Sequence, residues 1–190
     1  MGIMNTLLGG TDWSDGQTLY AGSLNDTFDA LVLHRKVHSI ATEDTSTSIT
    51  WADMTDGTFT ITNGLNSLIV GINIGVDLKI SNGSYRAETG LKIVGSNLGT
   101  KYFVTSDNWL VNAGVDGDTF SPRLETSEAY LFQALDTGYK QFTASAFYPL
   151  KLLDATTTFS IRLRTNNASG TAYIQNAKVE IIYIKNFVDD

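Results

Sequence analysis

The sequence predicts an all-β protein: an antiparallel, jelly-roll-like β-sandwich preceded by a short N-terminal arm and helix. Three observations carry this reading. After residue 36 the apolar residues recur at period 2, the spacing that places alternate side chains on one face of a strand. About ten such runs, separated by turn residues, fit into about 150 residues, the density of a sandwich or jelly roll. Charged residues make up only 17% of the 190-residue chain, against roughly 25% in ordinary soluble proteins. Its polar surface therefore comes from Thr, Ser, Asn and Gly, which suit strands and turns, and it also fits a chain that packs against neighbours.

Residues 1–20 are rich in Gly and Asp and have no period, with Gly9-Gly10 followed by Asp12-Trp13-Ser14-Asp15-Gly16; they read as an extended arm. A helix is predicted next. Ser23 is its N-cap, with Asp26 three residues later in a capping-box arrangement. Leu24, Phe28, Leu31 and Val32 fall on one face, and His34, Arg35 and Lys36 place positive charge at the C-terminal end, where the helix dipole favours it. About three turns do not hold themselves in water. The four apolar residues therefore need a partner surface and are the predicted attachment residues. The expected organisation is an arm and attachment helix over 1–35 and a sandwich head over 36–190.

The clearest strand run is 67–81, with Leu68, Val70, Ile72, Ile74, Val76, Leu78 and Ile80 on one face and only Ile69 breaking the polar other face. Gly71 and Gly75 are expected to mark bends or bulges. Asn82-Gly83 reads as a two-residue hairpin turn into a partner strand in which Tyr85, Ala87, Thr89, Leu91 and Ile93 alternate with polar residues. Phe142, Ala144, Ala146 and Tyr148, then Phe159, Ile161 and Leu163, then Ala177, Val179, Ile181 and Tyr183, mark the inner faces of three later strands. Shorter candidates lie at 37–41, 47–51, 58–62, 101–105 and 128–133, and 165–170 is a polar loop. Pro122 and Pro149 sit at loop-like positions. The last strand turns apolar on its outer face at Ile182 and Ile184. A strand apolar on both faces is covered on both sides, so this pair is the predicted subunit interface.

Composition excludes several classes of function. A formal net charge of −7 repels phosphate backbones, so no nucleic-acid partner is expected. There are no cysteines, hence no disulfide, thiol chemistry or Cys-ligated metal. No run approaches the roughly 18 apolar residues of a membrane span. MGIMNTLLGG is too short and uncharged for a signal peptide, and its match to the loose acylation pattern at Gly2 and Thr6 reads as chance.

No catalytic constellation, cofactor or metal site is expected. His34 and His38 are four apart, but the helix ends between them and no third ligand is identifiable. Glycosidase chemistry needs two carboxyls about 5–9 Å apart. The acids inside strong strand patterns are Glu88 and Glu180, and Glu88, flanked by Arg86 and Lys92, reads as part of a charge ladder on a solvated sheet. Asp116-Gly117-Asp118, and Asp12 with Asp15, lack the spacing of a calcium loop and read as turns. The sequons at Asn25, Asn82 and Asn167 are near chance in so Thr-, Ser- and Asn-rich a chain, and no glycan is assigned to them. Trp13, Trp51, Trp109 and several tyrosines could stack on sugar rings, though aromatics of this kind more often bury in the core or in subunit contacts. Trp109, inside the aperiodic stretch 106–127, is the candidate ligand contact, since long connections carry binding surfaces.

The stretch DWSDGQTLYAGSLNDTFDAL, residues 12–31, resembles the N-terminal segment of phage tail-fibre and other virion surface proteins. There a short Asp-Trp-x-Asp-Gly arm precedes a Leu-Asn-aromatic helix, matched here by Asp12, Trp13, Asp15, Gly16, Leu24, Asn25 and Phe28. The part from GSYRAETGLKIVGSNLGTKYF through SGTAYIQNAKVEIIYI is similar to the jelly-roll heads of trimeric virion proteins. The resemblance covers most of the chain and rests on no invariant motif. It implies a structural role in a virus particle, that of a tailed phage, with a virion location, homotrimerisation and contacts to other virion proteins through 1–35. A capsid decoration protein and a tail-fibre or receptor-binding head are its two versions, the latter making a host-surface glycan a candidate partner. It carries no catalytic residue. The rival from another class is a carbohydrate-binding module outside any virion, for which the N-terminal helix would be unnecessary.

Overall fold

Residues whose side chains alternate between apolar and polar neighbours fold as strands with one face turned to the core. The computed structural model describes residues 33–62, 67–96, 98–105 and 122–184. Among them the strands are β1 (Leu33–Ile40), β2 (Asp44–Ser46), β3 (Ala52–Thr62), β4 (Ser67–Ile80), β5 (Ala87–Gly95), β6 (Gly99–Thr105), β7 (Pro122–Glu125), β8 (Phe132–Ala134), β9 (Lys140–Leu153), β10 (Thr156–Thr165) and β11 (Ala172–Ile184).

The pairing of the longer strands is nested. β1 pairs with β11, β3 with β10, β4 with β9 and β5 with β6, all antiparallel. That is one long hairpin with its tip at β5–β6. Rolling it up sets β11 beside β4 and β10 beside β5. The result is two sheets, ordered β1-β11-β4-β9 (sheet A) and β3-β10-β5-β6-β7 (sheet B). A rolled hairpin of this kind is the wiring of a jelly roll, so the predicted fold class holds. The short β2 continues the line of β1 along β11, and β8 pairs with the start of β5.

The core fills the space between the sheets. Ile72, Leu78 and Ile80 of β4, Leu91 and Ile93 of β5, Phe159 and Ile161 of β10, and Val179 and Ile181 of β11 are all buried. Each such side chain contributes roughly 1.5–3 kcal/mol by leaving water. Stacked rings tie the layers together: Phe132 with Phe142 at 5.5 Å, and His38 with Phe59 at 4.8 Å, which in turn stacks on Phe159 at 5.1 Å.

Several sequence expectations are corrected. Residues 33–36 belong to no helix. They are the start of β1, with Leu33 opposite Ile184 and Lys36 opposite Ile181. A full ladder against β11 outweighs the few tenths of a kcal/mol that a helix dipole offers terminal cations. The strand therefore begins inside the segment assigned to the arm. Leu24, Phe28, Leu31 and Val32 lie outside the described residues. Asn82-Gly83 is a tight turn, with the Tyr85 amide donating to the Asn82 carbonyl at 2.9 Å and the Ser84 amide to Asn82 Oδ1 at 2.9 Å. It is not a hairpin, because β4 and β5 lie in different sheets: it is a corner between layers.

The single apolar face expected over 67–81 is also broken. The ladders of β4 with both neighbours skip Val70, between Ile69 and Gly71. This bulge, at one of the two glycines expected to mark one, puts Ile69 in the core on the same side as Ile72. Pro149 stands inside β9, where the register with β4 shifts between Lys151 and Phe147. β9 ends the order of sheet A, and an irregular edge strand is where a missing N–H is tolerated. Residues 47–51 join β2 to β3, and of 128–133 only the end enters β8.

Candidate functional site

The two outer faces of the sandwich differ, and the difference locates the site. On sheet B the outward side chains pair with one another. Arg164 Nη2 lies 2.6 Å from Glu88 Oε2, and Arg162 Nε lies 2.9 Å from Asp53 Oδ1 while its Nη1 pairs with the Glu128 carboxylate. Trp51 lies over them, its ring centre 4.5 Å from the Arg164 guanidinium, and its carbonyl accepts from Arg162 Nη2 at 2.7 Å. A Cβ on Gly90 would sit 3.2 Å from the Ala129 carbonyl oxygen and 3.7 Å from the Trp51 ring. Trp51 and the segment around 129 thus close over β5. Glu88 is buried, not on a solvated ladder, and its partner is Arg164 of the next strand, not Arg86 or Lys92. Only the tertiary position of Trp51 and 128–130 reveals this.

On sheet A the outward positions form rows fixed by register. Arg35, Ile182, Gly71 and Phe147 lie side by side; next come Val37, Glu180, Asn73 and Ser145; then Ser39, Lys178, Gly75 and Thr143. Two of these three rows carry glycine on β4, Gly71 under the Phe147 ring and Gly75 uncovered, so the floor is low at Gly75. A groove of about 560 Å³ runs there between β11, β4 and β9. Phe147 borders it and is 64% exposed. Its ring rests on Gly71, where a Cβ would stand 3.0 Å from Phe147 Cδ1. Only a glycine lets that ring sit so close to the sheet.

Glu180 holds the groove's other flank. Its Oε2 accepts from Asn73 Nδ2 at 2.9 Å and its Oε1 pairs with Arg35 Nε. The hydrogen bond from Asn73, and then that from Arg35, hold the carboxyl below the ordinary range, so it is ionised at neutral pH. Asn73 Oδ1 is buried and has no hydrogen-bond partner among the described residues. Beyond Asp77, which accepts from Asn176 Nδ2 at 2.7 Å, the face is knitted shut. There Lys79 sits between the rings of Tyr139 and Tyr173, 4.2 and 4.6 Å from their centres, and reaches Glu43 at 3.6 Å. Tyr139 donates to that same carboxylate, and burial followed by this bond pushes its hydroxyl well above the usual tyrosine range.

The predicted interface pair lies on the same face, toward β1. Ile182 and Ile184 are half-buried, opposite Arg35 and Leu33. Leu33 is 59% exposed and Val37 36%, so the edge of sheet A carries exposed apolar side chains on either side of Arg35.

The histidines do not converge on a site. His34 stacks on Tyr183 at 5.4 Å, and His38 Nε2 donates to the Asp56 carbonyl at 2.6 Å. Among the described residues no group of three His, Asp or Glu side chains is placed to hold a metal. Glu88 and Glu180 point outward from opposite sheets, with a core about 10 Å thick between them, and so are not a catalytic pair. Asn82 and Asn167 use their side-chain oxygens to accept the Ser84 and Ser169 amides inside turns. Trp109, Trp13, Asn25 and the acidic turns at 12–15 and 116–118 lie outside the described residues. Phe147 is the residue sequence reasoning passed over. Continuing the alternation of 141–146 by one step places this aromatic on the polar face, and that was the available signal.

No protein-family model matches this chain, and no curated protein does. Among solved structures it is similar to a chain of infectious bursal disease virus, Gx strain, at 10% identity and TM-score 0.35, over 80% of this chain and 36% of that one. It is also similar to the VP2 subviral particle of infectious bursal disease virus, at 11% identity and TM-score 0.32, over 80% of this chain and 37% of that one. A third likeness is to the CBM22-1 xylan-binding domain from Paenibacillus barcinonensis Xyn10C, at 12% identity and TM-score 0.29, over 77% of this chain and 95% of that domain. The chain spans little more than a third of the two viral chains. At TM-scores this low none of these likenesses carries functional weight.

Proposed function

We propose that this chain is a non-catalytic structural component of a virus particle, the head of a homotrimeric virion surface protein. Jelly rolls serve as capsid and as lectin domains, so the fold alone does not choose. The observation that carries the reading is the apolar strip on the edge of sheet A. Leu33 and Val37 are exposed there and are continued by the half-buried Ile182 and Ile184. Exposed apolar side chains on an end strand, even with Arg35 between Leu33 and Val37, suit a surface that a subunit covers. The resemblance of residues 12–31 to virion attachment segments supports the setting, with 1–32 reaching other virion proteins.

Light scattering on the full chain tests this. The parent is expected as a trimer, and the double variant Ile182→Lys, Ile184→Lys as monomer or insoluble protein. A monomeric parent, or an unchanged oligomer in the variant, would remove this edge from the interface. Attachment is tested by co-sedimentation with particles lacking the protein. Deleting 1–32, which spares β1, should leave a cooperatively melting head that no longer binds; full binding by the truncated head would move attachment to the sandwich. The reading as a carbohydrate-binding module outside any virion draws on the groove of sheet A.

A further inference from the structure

We infer that the groove between β11, β4 and β9 is a binding site for a neutral oligosaccharide. The inference does not rest on the oligomer or on a virion location, since every residue it uses lies within one chain.

Three features point to sugar. The first is Phe147, an aromatic ring left 64% exposed beside the polar side chains of the groove and held against Gly71 rather than in the core. An exposed ring face beside hydrogen-bonding groups suits a pyranose, which has an apolar C–H face and a rim of hydroxyls. The second is the neighbouring chemistry. Asn73, Thr143, Ser145 and Glu180 line the same groove, a mixture of amide, hydroxyl and carboxylate that matches vicinal hydroxyls acting as both donors and acceptors. Asn73 Oδ1 is buried without a partner among the described residues, an acceptor that a ligand hydroxyl would satisfy after a small shift of the amide. The third is shape. Gly75 puts no side chain on the floor, and the residues of β11, β4 and β9 around it leave a groove of about 560 Å³.

The charge pattern selects a neutral ligand. Glu180 is ionised and both its oxygens are already engaged, by Asn73 and by Arg35. It repels carboxylated or sulfated sugars and accepts from hydroxyls. Arg35 is turned to Glu180, so of the groove's lining residues only Lys178 offers a cation, next to that same carboxylate. An apolar protein surface would meet the polar rows of Asn73 and Gly75 poorly, which distinguishes the groove from the apolar strip on the β1 side.

Affinity electrophoresis of the full chain through gels holding xylan, mannan, a mixed-linkage β-glucan or, as acidic control, alginate tests the site. At least one neutral polymer should retard the parent and alginate should not. Phe147→Ala should weaken that retardation roughly tenfold, the upper end of what one aromatic contact contributes, with melting temperature and light scattering unchanged. Asn73→Ala should also weaken it. Retardation by none of the neutral polymers, retardation by alginate alone, or retardation indifferent to Phe147→Ala would each overturn the inference. A change of oligomeric state in Phe147→Ala would do so too, by making the groove a subunit contact.

Discussion

Asp154 is a buried carboxylate at the junction of β9 and β10, and it pins the turn between β5 and β6. Its Oδ2 accepts the Leu98 amide at 2.9 Å and its Oδ1 the Ser96 hydroxyl at 3.4 Å, while its own amide donates to Thr157 Oγ1 at 3.1 Å. Asp154→Ala strands the buried Leu98 N–H and removes charge-assisted bonds, a loss of about 2–3 kcal/mol. Gly95 is the space that admits the carboxylate: a Cβ there would stand 1.9 Å from Asp154 Oδ2. Gly95→Ala must therefore evict the same group and should cost at least as much. With the carboxylate gone, the nearest remaining contact of the added methyl is Leu98 Cβ at 3.2 Å, which a small shift relieves. The double variant should consequently lose about what Asp154→Ala loses alone, with a coupling of about 2 kcal/mol between two residues that share one space. Urea unfolding of the four proteins, compared at common m-values, measures this. Additive losses, summing to about 5 kcal/mol by the same estimates, would refute the idea that Gly95 exists to seat Asp154.

Arg164→Ala should destabilise by about 3 kcal/mol, because it leaves Glu88 buried without its guanidinium; a loss under about 0.5 kcal/mol, the range of ordinary surface changes, would mean the pair is ornamental. Acid tests Glu180. Its carboxyl is depressed in the fold by Asn73 and Arg35, so the stabilisation is complete above the ordinary carboxylate range and is lost as pH falls through the depressed value. The melting temperature of the parent should fall through that acidic window more steeply than that of Glu180→Gln. Parallel curves would show that Asn73 and Arg35 do not act on the folded carboxylate.

Much of the fold was legible because parity is local. Phe159, Ile161 and Leu163, or Ala177, Val179 and Ile181, declare an inner face by alternation alone, and the structure buries all six. What parity does not contain is the partner. Asn82-Gly83 has the chemistry of a hairpin turn, yet β5 pairs with β10 and β6 and never with β4. Residues 33–36 have the cations of a helix end, yet a ladder with β11 was available to them. The bulge at Val70 shifts parity midway, so one run of alternation serves two registers. The surroundings of Glu88's partner Arg164 include Trp51, which comes from a different part of the chain. The groove was half legible: Phe147 on the polar face follows from alternation, whereas its seat on Gly71 follows only from the pairing of β4 with β9.

The asymmetry of the sandwich bears on how its two proposed surfaces work together. Sheet B spends its outward charges on itself, Arg162 and Arg164 against Asp53, Glu88 and Glu128 under Trp51. Sheet A keeps its ion pairs at the flanks, Arg35 with Glu180 and Lys79 with Glu43, and leaves glycine, amide and hydroxyl groups between them. The apolar strip adjoins the groove, with Ile182 in the row of Phe147 and Val37 beside Glu180, so a subunit that covers the strip lies along the groove's β11 flank. One phenylalanine and a few hydrogen bonds make a weak sugar site. If the proposed trimer forms, three such grooves in one head would meet a polymeric glycan at a high effective concentration, and avidity would exceed the single-site affinity by orders of magnitude without any new contact.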